Sequence, residues 1–267
     1  MIGAIAGDII GSVYEHHPIK TKEFPLFHPK CRFTDDSVLT IAIAKAILED
    51  RDYLKAVREL GRNYPFAGYG GTFIRWLHSS DPKPYNSWGN GSAMRVSPVG
   101  FAFTTIEAVL QEAEGTAQIS HNHPEGVKGA QSTALAVFLA RTTRDKTLIR
   151  REVEDRFGYD LDRTVEEIRP SYRFDVSCQG TVPQALIAFL DSYSYEDAVR
   201  NAISLGGDSD TLACITGGIA EAYYDFMEPP ILDKVKACLT SELWKITEQF
   251  YRTYVKNKPN RTDSVDS

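Results

Sequence analysis

Two short stretches carry oxygen atoms in a pattern that suits a hard cation. Gly206-Gly207-Asp208-Ser209-Asp210-Thr211 sets two carboxylates around one serine and follows them with a threonine hydroxyl. The glycines let the backbone turn tightly. An apolar run at helical spacing comes next: Leu212, Ile215, Ile219, Ala222 and Phe226. Thr34-Asp35-Asp36-Ser37 stands in the same relation to Val38, Leu39, Ile41, Ala42, Ile43, Ala46 and Ile47. Each stretch is the mouth of a helix that is otherwise core. A helix start carries free N–H groups and partial positive charge, so a Thr cap and an acid or two there need no ligand to explain them. Four aspartates gathered without a cation, however, would repel one another. The two stretches together point to metal. Thr34, Asp35, Asp36, Asp208, Asp210 and Thr211 offer an all-oxygen set for Mg²⁺, Ca²⁺ or Mn²⁺ rather than zinc or copper.

Three further elements could complete a site. Gly89-Asn90-Gly91-Ser92-Ala93-Met94-Arg95 lets backbone N–H groups approach an anion, and Ser87 and Trp88 precede it. Trp88 could stack on a nucleobase; equally, the loop could be a plain turn with Trp88 covering the core. Gly3, Gly7 and Gly11 lie on roughly one side of a first helix and permit close packing, with Asp8 satisfying buried backbone donors. Glu15 follows, where that helix gives way to a loop; on its own it reads equally as a solvated surface acid. In Ser120-His121-Asn122-His123-Pro124, a histidine could touch a phosphate or ribose, or cap a helix end. No Cys or third His stands near, which argues against zinc.

The elements that position these residues read as helices almost throughout. The spacing predicts helices over 2–14, 36–49, 52–63, 72–78, 93–102, 105–119, 125–141, 145–156 and 162–168. It then predicts 181–190 with Pro183 in its first turn, 195–205, 209–226, 230–238 and 241–255. Loops occupy 16–33, 79–92 and 170–181. The expected fold is all-α: a compact single-domain orthogonal bundle of roughly a dozen helices over residues 1–255, with a disordered polar tail over 256–267.

The chain has 267 residues, 42% hydrophobic and 25% charged, enough for one large core. Its net charge is -6 and it has no basic stripe, so nothing marks a surface for a nucleic-acid duplex. Cys31, Cys178, Cys214 and Cys238 are scattered, as expected of buried free thiols in a reducing cytosol. The apolar start Met1–Gly7 lacks a basic flank and is broken by Asp8, and no run approaches the roughly 18 apolar residues that span a bilayer. A cytoplasmic monomer with no membrane association is expected.

In this order, these elements resemble the ADP-ribosylglycohydrolase family. The resemblance runs through Gly3 to Glu15, Thr34-Asp35-Asp36-Ser37, Gly89 to Pro98, His121, Ser177 to Phe189 and Gly206 to Gly218. It implies an all-α fold around a binuclear Mg²⁺ or Mn²⁺ centre and release of ADP-ribose from a modified protein or another ADP-ribose conjugate. Nucleic acid would enter only as such a modified substrate. By resemblance, Thr34, Asp35, Asp36, Asp208, Asp210 and Thr211 are the metal ligands. Glu15 is a mobile acid near the scissile bond, with Asp35 and Asp36 sharing the catalytic work. Ser87, Gly89, Asn90 and Gly91 hold the diphosphate and ribose, Trp88 replaces an aromatic that stacks on adenine, and His121 meets the phosphate side. Met94 in the same stretch also belongs to the substrate site. Arginine is the acceptor the resemblance favours; serine, an acetyl ester or a nucleic-acid base remain open, because the loop from Pro18 to Pro25 is particular to this sequence. A metal-dependent phosphoesterase and a non-catalytic ADP-ribose binder are the competing readings.

Overall fold

A computed structural model describes residues 1–256. The tail expectation therefore lies outside the described residues, except for Lys256. The elements, in chain order, are α1 (Ile2–Gly11), α2 (Asp35–Leu48), α3 (Tyr53–Asn63), α4 (Gly71–His78), α5 (Gly91–Met94), α6 (Ser97–Ala102), α7 (Ile106–Gln118) and α8 (Pro124–Thr143). They continue as α9 (Lys146–Phe157), α10 (Val165–Ile168), α11 (Cys178–Leu190), α12 (Tyr195–Ser204), α13 (Ser209–Tyr224), α14 (Pro229–Cys238) and α15 (Ser241–Phe250). A π-helical turn, Tyr251–Lys256, follows. No strand occurs among the described residues, where the one β-type contact is a bridge between Gly89 and Ser177. No described helix is long and apolar enough to cross a membrane.

Helices α1 and α13 form the axis of the molecule. Every residue of α1 is buried, as is α13 from Ser209 to Ala222. A helix apolar on all sides belongs inside a protein. The glycine stripe on α1 is the reason the two can lie so close. A methyl group on Gly3 would sit 2.4 Å from the carbonyl oxygen of Gly217, one on Gly7 2.0 Å from that of Ala213, and one on Gly11 2.5 Å from that of Ser209. Ascending numbers on α1 meet descending numbers on α13, so the helices run antiparallel. The exit of α1, leading to Glu15, thus lies beside the entry of α13, which carries Asp208 and Asp210. Around this pair, α13 also packs on α8, α11 and α12, while α2 packs on α1, α3, α6 and α15.

Several boundaries differ from expectation for identifiable reasons. The single helix read over 93–102 is two, α5 and α6. The ring of Pro98 would collide with the carbonyl of Met94 four residues back, and it has no N–H to donate there. Helix α11 begins at Cys178, because the Ser177 hydroxyl accepts the Gly180 N–H at 3.0 Å and caps it; Pro183 lies inside the helix rather than in its first turn. Helix α13 stops at Tyr224, where Asp225 turns left-handed (φ 53°), so Phe226 falls outside it and stands 63% exposed. The four thiols are free as expected, but only Cys178 and Cys214 are buried.

Candidate active site

Asp8 builds the first half of the site. Its carboxylate accepts the Thr34 N–H at 2.9 Å, the Thr34 hydroxyl at 2.6 Å and the Ser37 N–H at 3.1 Å; the Ser37 hydroxyl donates to it as well. A wholly buried acid on α1 therefore holds the entrance of α2 from outside that helix. The Thr34 oxygen also accepts the Asp36 N–H, which caps α2. Asp35 is anchored by its own N–H on the Ala67 carbonyl at 2.8 Å. Its Oδ1 faces Gly68, where φ is +110° and an added Cβ would lie 3.4 Å away.

The second half comes from α13. The Thr211 hydroxyl reaches Asp36 Oδ2 at 3.4 Å, joining the two helix starts across 175 positions of sequence. Asp208 Oδ2 accepts the side-chain amide of Asn90 at 2.8 Å. Carboxylate oxygens of Asp8, Asp36 and Asp210 lie within 4.8 Å of one another, and so do those of Glu15, Asp208 and Asp210. The two groups share Asp210. Of the six residues singled out as ligands from the sequence, Asp36, Asp208 and Asp210 fall in these groups, Thr211 bonds to Asp36, and Thr34 and Asp35 line the same cavity; Asp8, read there only as a holder of backbone donors, also contributes an oxygen to the cluster.

This cluster fits a hard divalent cation. Asp36 Oδ1 is buried without a hydrogen-bond partner, an arrangement that is costly unless something positive meets it. Burial, and then Asp8, Asp35 and Asp208, raise the Asp36 pKa well above the usual carboxylate range, against the hydrogen bond from Thr211. Burial followed by Asp36 and Asp208 does the same to Asp210. Burial, then Asp8, pushes Asp35 up to about 8, and burial alone takes Asp8 up to about 6 against its four hydrogen bonds. Glu15 is less enclosed: partial burial and Asp208 raise it, while His16 and Arg32 pull it down.

A cavity of about 640 Å³ opens above the cluster. Its wall includes Glu15, His16, Arg32, Asp35, Gly68, the 70–73 segment, the 85–91 segment, Met94, Arg95 and His121. Trp88 is 47% exposed and stands at the rim, as do Phe174 and Val176. The loop before α5 is knitted to α11: Asn90 N–H donates to the Val176 carbonyl at 2.8 Å, and Cys178 N–H to that of Trp88 at 2.9 Å. Gly89 N–H is taken by the Ser87 hydroxyl at 3.2 Å. Two of the backbone donors expected to greet an anion are therefore already committed within the protein. Both bonds of the Asn90 amide nitrogen are also internal, to Asp208 and to the Thr181 hydroxyl at 3.1 Å; only its oxygen is left for a ligand. Met94 lies low in the cavity, its sulfur 4.0 Å from the Thr211 hydroxyl. The two histidines divide the roles suggested for them. His123 caps α8 through Glu125 N–H, whereas His121 turns its ring into the cavity.

Sequence reasoning missed His16, Arg32, Gly68, Phe174 and Val176 as lining residues. The glycines of 68–71 were visible only as chain breaks, and Phe174 and Val176 sit in an irregular segment whose neighbours are set by α11.

The ADP-ribosylglycohydrolase family model matches residues 1–260. The chain is 26% identical to ADP-ribosylhydrolase ARH3 of Mus musculus, over 86% of this chain and 84% of that protein. It is 27% identical to that of Homo sapiens, over 86% and 85%. It is 29% identical to the ADP-ribosylarginine hydrolase Tri1 of Pseudomonas putida, over 61% of this chain and 45% of that one. A solved structure titled ADP-ribosylglycohydrolase-related protein complex superposes with a TM-score of 0.69, at 22% identity, covering 95% of this chain and 97% of its own; it shares the fold. The chain belongs to the ADP-ribosylglycohydrolase family.

Proposed function

We propose that this protein releases ADP-ribose from a modified acceptor by hydrolysing the ribosyl C1″ bond, with two divalent cations, Mg²⁺ or Mn²⁺, held by Thr34, Asp35, Asp36, Asp208, Asp210 and Thr211. One observation carries the reading: two carboxylate groups sharing Asp210, with an orphaned Asp36 oxygen among them, at the base of a cavity rimmed by Trp88. When bound, the cations supply charge that draws in ribose hydroxyls and polarises a water.

The chain's own residues do the rest. Trp88 stacks on the adenine. The space above Gly89 and Gly91, beside His121, takes the diphosphate, and the Asn90 oxygen takes a ribose hydroxyl. Asp35 and Asp36 hold the reacting end of the sugar in place. Cleavage passes through an oxocarbenium-like state, in which the leaving group needs a proton and the attacking water must lose one. Glu15, half-enclosed and raised in pKa, moves that proton.

The name of the Pseudomonas relative favours arginine as the acceptor. The test is a panel of arginine-, serine-, ester- and nucleic-acid-linked ADP-ribose conjugates, each with Mg²⁺ and with chelator. Free ADP-ribose formed only with metal supports the proposal. AMP as product would make the protein a phosphoesterase, and binding without turnover would make it a binder.

A further inference from the structure

Arg95 is fully buried, yet no carboxylate pairs with it among the described residues. One of its terminal nitrogens, Nη2, donates to the Thr116 carbonyl at 2.6 Å and to the Ser120 hydroxyl at 3.0 Å. Its Nε and Nη1 have no acceptor. Thr116 lies in the last turn of α7, whose negative end offsets part of the charge. The remainder faces a cavity that Arg95 itself helps to line. Burial draws the guanidinium down only to about 10, so it stays charged at neutral pH.

The hydrogen bonds around it have a direction. Arginine can only donate, so the Ser120 oxygen accepts from it. The single proton of Ser120 is then free for His121 Nδ1, 2.8 Å away. His121 is 5% exposed, and burial, then Arg95, holds its pKa well below the usual range, so the ring is neutral and carries one N–H. A neutral ring that accepts at Nδ1 bears its proton on Nε2. That nitrogen stands over the loop: it would lie 3.0 Å from a Cβ on Gly91 and 3.6 Å from one on Gly89. The loop's own N–H groups at Gly89 and Asn90 are taken, which makes the His121 donor matter more.

We propose that Arg95 and Ser120 are positioning residues that fix His121 as the Nε2–H tautomer, so that it always offers a donor, backed by a buried positive charge, to the diphosphate of an ADP-ribose conjugate. The diphosphate half of this rests on the function proposed above; the tautomer half does not.

Long-range ¹H–¹⁵N correlation on histidine-labelled protein, with His121 assigned by the loss of its signals in His121→Gln, reads the tautomer directly. Affinities for ADP-ribose and for adenosine, which has no phosphate, read the consequence. The wild type should show the Nε2–H form. Ser120→Ala should lose that preference and bind ADP-ribose about tenfold more weakly, the loss of one charge-assisted hydrogen bond, with adenosine affinity unchanged. Arg95→Lys, which keeps a buried donor and charge, should retain most of the ADP-ribose affinity, whereas Arg95→Met should lose about tenfold or more. An Nδ1–H ring in the wild type overturns the proposal, and so does an equal loss of both ligands in Ser120→Ala, the mark of a merely structural role. If the wild type shows the Nε2–H form but does not bind ADP-ribose, the functional reading and the diphosphate half fall together, and the tautomer assignment stands.

Discussion

Asn90 donates its side-chain amide to Asp208 at 2.8 Å, across 118 positions of sequence. One residue thus connects the loop assigned to the nucleotide with a carboxylate assigned to the cations. Substrate and metal should be coupled through it. Asn90→Ala should weaken divalent-cation binding by about 10–100-fold, as loss of an outer hydrogen bond to a ligand commonly does, and lower turnover with it. Calorimetric titration of the chelated protein with Mn²⁺ checks this; unchanged cation affinity would show that Asp208 needs no such support.

Trp88 is expected to act on affinity alone. Base–aromatic stacking is worth about 1–3 kcal/mol, so Trp88→Ala should weaken ADP-ribose binding by about 5–150-fold while kcat holds. Steady-state kinetics separate the two; a fall in kcat at unchanged affinity would move Trp88 away from the adenine.

Close packing of α1 on α13 aligns Glu15 with Asp208 and Asp210. Gly7→Ala would drive a methyl group against the Ala213 backbone, and overpacking of this kind typically costs about 1–3 kcal/mol. Urea denaturation should show a loss of that order together with lost activity. Gly71→Ala is the control, since its methyl would meet only the tip of Arg75 at 4.0 Å. Equal stability of both variants would refute the stripe's role.

In chelator, the protein should show the reverse of the usual preference for neutral pH. Asp8 and Asp35 are raised from 3.8, to about 6 and about 8. An acid whose folded-state pKa is raised contributes stability fully below its unfolded pKa, and the contribution is lost as pH climbs through the folded value. Chelated protein should therefore melt at a higher temperature near about pH 5 than near about pH 8, and added Mg²⁺ should stabilise most at the alkaline end. A melting temperature that rises with pH in chelator would contradict this.

Both halves of the carboxylate cluster were legible because each is a local pattern, hydroxyl and carboxylate oxygens in front of an apolar helix. The stripe of Gly3, Gly7 and Gly11 announced close packing but not its partner, which only the path of the whole chain decides. Pro98 carried enough information to divide α5 from α6, and the apolar periodicity on either side masked it. Arg95 could not be singled out: nothing in the order of residues distinguishes a buried unpaired arginine from one on the surface. The cavity wall around Arg32, Gly68 and Phe174 was equally hidden, since loops take their position from distant helices.

The central claim is that the starts of α2 and α13 together grip divalent cations beneath the ribose. Anomalous diffraction from crystals soaked in Mn²⁺ tests it directly. The account predicts two peaks within the cluster, both against Asp210, one towards Asp36 and one towards Asp208 and Glu15, and both abolished in Asp210→Asn. Peaks elsewhere on the surface, or none at saturating Mn²⁺, would contradict it.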